Sequence, residues 1–435
     1  MNRLELIWSH LRGSFWFLPS LIFAASIVIA VVLIDADTGH GRELIENWPR
    51  LFGSRAAGAR GMLSTIAGSM MTVVGVTFSM TLVTLALASS QYTSRILRNF
   101  MADRITQVVL GVFGGIFIYC LIVLRTIRGG EEDYVPSIAV LFGVVFAIGG
   151  IVMLIFFIHH IASSIQASAI IESVTRETLS SIDRLLPREG GGETPASRGG
   201  DHPASPRAGE CPQEVPATRI GYIQSIDIEA VLSTAEKHDV IVRLQRGVGE
   251  FVVKGATIAT IDGRQPLPKA AMEELAGAFN IYRFRTVEQD PAFGIRQIVD
   301  IALRALSPGL NDTTTAAMCV DYLSAILVHV VNREFPPREH HCEGVTRVIS
   351  VEQTFDGLLA HAFDQVRSNA RGNLSILLHI LEALERVGVV ARDQRRRHSL
   401  LQYLACLEEL RETLSSGYER TQFDETMRRV RLALA

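Results

Sequence analysis

Between Met62 and Ser90 the chain carries no formally charged side chain. An uncharged run of that length can cross a hydrocarbon layer at about 1.5 Å per residue, which excludes a purely soluble chain. Cysteine is nearly as scarce. Cys120, Cys211, Cys319, Cys342 and Cys406 are scattered, odd in number and without a CxxC pair, so neither a disulfide framework nor a paired-thiol zinc site is expected. Charge of one sign is missing too. A net formal charge of -3 over 435 residues argues against a nucleic-acid-binding surface. The chain has no Gly-rich phosphate loop and no nucleophile at recognisable spacing from a general base, so its motifs speak against an enzyme and call for no cofactor.

The uncharged run is nonetheless polar. Hydroxyls recur through MLSTIAGSMMTVVGVTFSMTLVTLALASSQ, and Thr65, Gly68, Thr72, Gly75 and Ser79 follow steps of three and four residues. They therefore share one helix face, which either packs tightly against a neighbouring helix or lines a solute path. An ionisable residue, the usual mark of such a path, is absent from this stretch.

Three further apolar spans, Phe15 to Ile34, Ile105 to Leu124 and Val135 to Ile158, accompany it. The first is too long for a signal-peptide core and runs into Asp35 and Asp37, so it is expected to stay on the mature protein. Gly111 and Gly115 place a GxxxG step on the third span. Arg3 and Arg12 in the N-terminal tail, with Arg95, Arg98 and Arg104 in the second loop, put both segments on the cytoplasmic side. Four spans return the C-terminal part to the cytoplasm. The last span is expected to run on as a helical stalk through 161–186, because Ile171, Val174, Thr178, Ile182 and Leu185 continue an apolar stripe and Pro187 stops it.

The expected fold is a membrane all-α domain of four transmembrane helices, followed by a cytosolic α+β part made of a small β unit and a helical bundle. Its boundaries are 1–160 for the transmembrane domain, 161–186 for the stalk, 187–218 for a Gly-, Pro- and Ser-rich disordered linker, 219–265 for the β unit and 266–435 for the mostly helical domain. Thr346 to Ser368 is expected to be helical within the last of these.

The soluble region concentrates its chemistry in EQDPAFGIRQIVDIALRALSPGLNDTTTA, Glu288 to Ala316. Its apolar spacing predicts a helix, Ser307 to Gly309 a turn, and Asn311 or Asp312 the cap of a second helix. Arg285, Asp290, Arg296, Asp300, Asn311 and Asp312 could gather at the tip of this hairpin as a pocket for a small anionic ligand. Alternatively, each serves as a cap, a turn or a surface ion pair. His340, His341, Cys342 and Glu343 are consecutive and lack a spaced partner motif, so no metal site is expected. Arg395, Arg396 and Arg397 suit a solvated helix face.

The segments STIAGSMMTVVGVTFSMTLVTLALASSQYTSRILRNFMADRITQVVLGVFGGIFIYCLIVLR and QDPAFGIRQIVDIALRALSPGLNDTTTA resemble the signature regions of the bacterial predicted-membrane-protein family known as domain of unknown function 2254. The family pattern has proline after the Asn-Asp of the hairpin tip, where this chain has Thr313. The resemblance implies a multi-pass protein of the bacterial inner, or plasma, membrane and carries no catalytic residue with it. Three functions are compatible with it: an oligomeric channel or transport protein with a cytosolic regulatory domain, a membrane-anchored sensing module that binds a small anion or a partner, and a membrane-associated enzyme. The expected partners are the lipid bilayer and further copies of the chain.

Overall fold

The uncharged run and its three companions all form long helices. The computed structural model describes residues 16–47, 56–91, 104–128, 134–164, 166–187 and 212–434, grouped in two compact units, 1–169 and 170–435. The basic tail, the basic second loop up to residue 103 and the linker over 188–211 lie outside the described residues.

In the first unit, α1 (Phe17–Asn47), α2 (Ala56–Gln91), α3 (Arg104–Thr126) and α4 (Ser137–Ser164) follow one another. Helix α3 is central and packs against the other three. The GxxxG step explains its closest contact. A methyl group on Gly111 would lie 2.6 Å from the Ile22 side chain, and one on Gly115 would lie 2.4 Å from Ser26 Oγ, so α1 passes against bare backbone there. Phe113, Tyr119, Cys120 and Val123 of α3 form the core with Leu63, Ala67 and Met70 of α2 and Ala139, Val140 and Phe157 of α4.

Polar ties to the backbone also hold this bundle together. Tyr119 donates to the Ala139 carbonyl at 2.7 Å. Asp37 accepts from the amides of Ser137 and Ile138, both at 3.1 Å, and so caps the first turn of α4. Arg60 donates to the Ile127 carbonyl at 2.7 Å, just past the last turn of α3.

Helix α4 does not continue into the next element. It closes at Ser164, the chain bends at Gln166, and α5 (Ala167–Leu185) begins as a separate helix. Ser163 and Ser164 return their hydroxyls to the carbonyls of His159 and His160 at 2.9 and 2.7 Å, and such back-bonding bends helices. From Ile170 onward, α5 belongs to the second unit and buries Ile171, Val174, Thr178 and Ile182. Its apolar stripe is therefore internal to that unit, not the surface of a bare stalk.

After α5, the next described element of the second unit is β1 (Gln213–Pro216), a strand inside the segment expected to be linker. There follow β2 (Gly221–Ile226), α6 (Ile228–Lys237), β3 (Ile241–Leu244), β4 (Phe251–Val252), β5 (Thr257–Asp262), α7 (Lys269–Gly277) and β6 (Phe279–Tyr282). A helix hairpin, α8 (Pro291–Ala305) and α9 (Thr313–Val330), leads to β7 (Glu339–Cys342) and β8 (Val345–Ile349). Helices α10 (Phe355–Asn369), α11 (Leu374–Val390), α12 (Gln394–Glu408) and α13 (Gly417–Leu434) complete it. The strands form a five-stranded sheet of order β1-β5-β3-β8-β7 and a three-stranded sheet of order β4-β2-β6. Strand β8 pairs in parallel with β3, Val242 opposite Val348.

This corrects the helix expected from Thr346. Glu343 and Gly344 take φ values of 51° and 79°, the left-handed pair of a tight hairpin, so β7 and β8 fold on each other and Val348 is buried in the sheet core. The helix starts only at Phe355, where Thr354 accepts from the Gly357 amide at 3.1 Å.

Among the described residues, five helices are long and apolar enough to cross a membrane: α1, α2, α3, α4 and α9. Helix α9 packs against α8, α10 and α11, with Cys319, Val320, Leu323 and Leu327 fully buried.

Candidate functional site

The six residues expected at the hairpin tip occupy three separate places. Asp290 caps α8, accepting from the Phe293 amide at 3.1 Å, and receives Nε and Nη2 of Arg285 at 2.9 and 2.6 Å. Only 2% of Asp290 is exposed. Gly249, at φ +88°, brings its backbone so close that an added Cβ would lie 2.4 Å from the carboxylate. Burial pushes the Asp290 carboxyl above the usual carboxylate range, while the Arg285 guanidinium and the Phe293 amide pull it down. Arg285 also lies over the Phe293 ring, 5.0 Å from its centroid. Asp290 is thus enclosed by packing, while Arg285 is half-buried.

Arg296 and Asp300 pair at 2.7 Å, one turn apart on α8. Asn311 holds the left-handed conformation (φ 47°) and is exposed. Asp312 caps α9, accepting from the Thr315 amide at 3.0 Å and its hydroxyl at 2.6 Å, and these bonds hold its carboxyl below the usual range. The 15 residues of α8 separate Asp290 from Asn311 and Asp312 by about 22 Å at 1.5 Å per residue. Arg285 and Asp290 thus lie at one end of α8 and Asn311 and Asp312 at the other.

The membrane face comes out differently from what its spacing suggested. Thr65, Gly68, Thr72, Gly75 and Ser79 are all exposed, whereas Leu63, Ala67, Met70, Thr77 and Thr84 of the same helix are buried. The stripe turns away from its own bundle. Nothing approaches within 4 Å of a Cβ added at Gly58, Gly61, Gly68 or Gly75. Two of its hydroxyls are satisfied within the helix, Thr65 by the Gly61 carbonyl at 2.8 Å and Thr72 by the Gly68 carbonyl at 3.0 Å.

On β7 the side chains alternate, Glu339 and His341 exposed and His340 and Cys342 half-buried, so consecutive metal-type residues face opposite ways. Among the described residues no three His, Cys, Asp or Glu side chains gather in a metal-binding group. Arg396 and Arg397 turn inward instead of lying on a solvated face. Arg396 donates to the carbonyls of Val330, Val331 and Arg333 at the end of α9, and Arg397 to that of Ala391 at 3.0 Å.

One cluster was not singled out from the sequence. His329 Nε2 lies 2.8 Å from Asp183 Oδ1 and 2.8 Å from Arg333 Nη2, and Arg333 also pairs with Asp183 and donates to the Leu186 carbonyl at 3.0 Å. His329 and Arg333 are an i, i+4 pair whose spacing was there to be read. Asp183, 146 residues upstream of His329, had no local signal. Hydrogen bonding with His329 holds the Asp183 carboxyl below its usual range, and Arg333 adds to this.

A family model described as "Predicted membrane protein (DUF2254)" matches residues 12–386. An uncharacterized protein of Mycobacterium tuberculosis strain H37Rv is 34% identical over 343 residues, which is 77% of this chain and 64% of that protein. An uncharacterized protein of Mycobacterium bovis gives the same figures, 34% identity over 343 residues, 77% and 64%. The match thus spans less than two thirds of these curated relatives. No solved structure matches the chain.

Proposed function

The chain belongs to the DUF2254 family of predicted membrane proteins, and from that membership we propose an oligomeric channel or transport protein of the bacterial inner membrane, regulated by its cytosolic C-terminal unit. The observation that carries this reading is the outward-turned stripe of α2. A helix face of Thr65, Gly68, Thr72, Gly75 and Ser79 that its own bundle leaves uncovered suits close approach by the same helix of another copy, with hydroxyls along the line where copies meet. Four helices, α1 to α4, cross the membrane and both termini face the cytoplasm. Helix α9 does not cross. Its length and apolarity belong to a core helix, and Asp321 on it pairs with Arg386 of α11 at 2.6 Å. Reconstitution in liposomes tests the reading: ion flux is expected for the wild type and is strongly reduced in Thr72→Leu and Ser79→Leu. Zero flux across the common monovalent and divalent ions removes the channel.

A second reading, a membrane-anchored sensing module, is favoured by α5. This helix follows the last apolar helix after one bend and is bound into the second unit, with Ser181 donating to the carbonyls of Val287 and Glu288 at 2.7 and 3.0 Å. Ligand-driven changes around α8 and α9 would then reach the segment joined to the membrane helices directly.

A further inference from the structure

The carboxyl ends of α9 and α11 collect four arginines, and three of them are occupied. Arg333 is bound to Asp183 and Leu186, Arg396 closes the last carbonyls of α9, and Arg397 closes Ala391. The fourth is Arg392. Its guanidinium is exposed and has no hydrogen bond or ion pair among the described residues, yet its backbone is fixed. Asn332 accepts from the Arg392 amide at 3.0 Å and donates to the Val390 carbonyl at 2.8 Å, which pins the α11–α12 connection to the end of α9.

Arg392 lines a cavity of about 350 Å³. Leu179 of α5 and Ala325 and Val328 of α9 give it an apolar lining, and His329, Asn332, Arg392 and the Asp183-paired Arg333 a polar one. Two competing charges are already cancelled. Arg333 is paired with Asp183, which His329 also meets, and Arg396 covers the partial negative charge of the α9 terminus. What remains is one uncompensated cation beside an apolar wall, in a space near the small end of ligand pockets.

We propose that this cavity binds a small amphiphilic monoanion, with its carboxylate on Arg392 and its short hydrocarbon part against Leu179, Ala325 and Val328. A phosphate dianion fits less well, because it has nothing to place on the apolar wall. The proposal rests on the sensing reading for its regulatory meaning only. Occupancy would tie α5 to α9 across the cavity.

The test is calorimetric titration of the full chain in phosphatidylcholine nanodiscs with hexanoate and, separately, with inorganic phosphate. Hexanoate is expected to bind saturably and phosphate is not. Arg392→Gln should weaken hexanoate about tenfold or more, the loss of one charge-assisted hydrogen bond. Ala325→Phe, which fills the cavity from the other side and leaves every arginine in place, should abolish binding. The absence of saturable hexanoate binding to the wild type overturns the proposal, as does equal binding in both variants or phosphate binding in place of hexanoate. Hexanoate binding that leaves the maleimide reactivity of a single cysteine at exposed Gln166, in the bend between α4 and α5, unchanged keeps the site and removes the sensing reading, so the two fail separately.

Discussion

Gly294 has no room for a methyl group: an added Cβ would lie 1.9 Å from Thr178 Oγ1 and 2.9 Å from its Cβ. Thr178 is fully buried, β-branched and already donating to the Val174 carbonyl at 2.7 Å, so it cannot swing aside. Gly294→Ala should therefore destabilise the second unit by about 1–3 kcal/mol. Adding Thr178→Ala should recover part of that loss, and chemical denaturation of the single and double variants measures it. A pH effect belongs to the same scale. Because the folded-state carboxyl of Asp183 titrates below its unfolded value, its contribution is present above the ordinary carboxylate range and is lost as the pH falls through the depressed value. The thermal midpoint of the wild type should fall on acidification below about pH 4 more steeply than that of Asp183→Asn.

Elements were legible where one period held over many residues. The four long apolar helices, the hairpin α8–α9 and the cap at Asp312 were all readable from spacing and turn chemistry. The β7–β8 hairpin was not. VTRVIS carries both a strand's alternation and a run-in to the amphipathic α10, and only its pairing with β3, about a hundred residues earlier, decides between them. The residues expected to gather at the hairpin tip are close in sequence but spread along the 15 residues of α8, a separation that their spacing alone did not reveal. On the membrane helix the spacing defined the stripe but could not say which way it faced. A test at this scale is Gly115→Leu, which drives a side chain into Ser26 and should separate α1 from α3. The expected outcome is a lower midpoint of heat-induced aggregation in detergent, with Gly149→Leu on α4, where nothing stands within 4 Å, as the tolerated control.

At the level of the whole molecule, the count of membrane crossings decides where every soluble residue resides. If α9 stays with its packing partners and α1 to α4 alone cross, a reporter fused after Ala435 is active only in the cytoplasm. Single cysteines at Leu310 and Asn332, which bracket α9, should both resist a membrane-impermeant maleimide in intact cells and react once the cells are opened. Labelling of one of the two from outside would make α9 a crossing helix. The parallel join of β3 to β8 has a further consequence during synthesis. Val242 leaves the ribosome about a hundred residues before Val348, which at 5–20 residues per second leaves one edge of β3 unpaired for roughly 5–20 s. The nascent chain carries an open, adhesive strand edge through that interval. A transcript cut short before Glu339 would never close it, and aggregation of such truncated chains is the expected result.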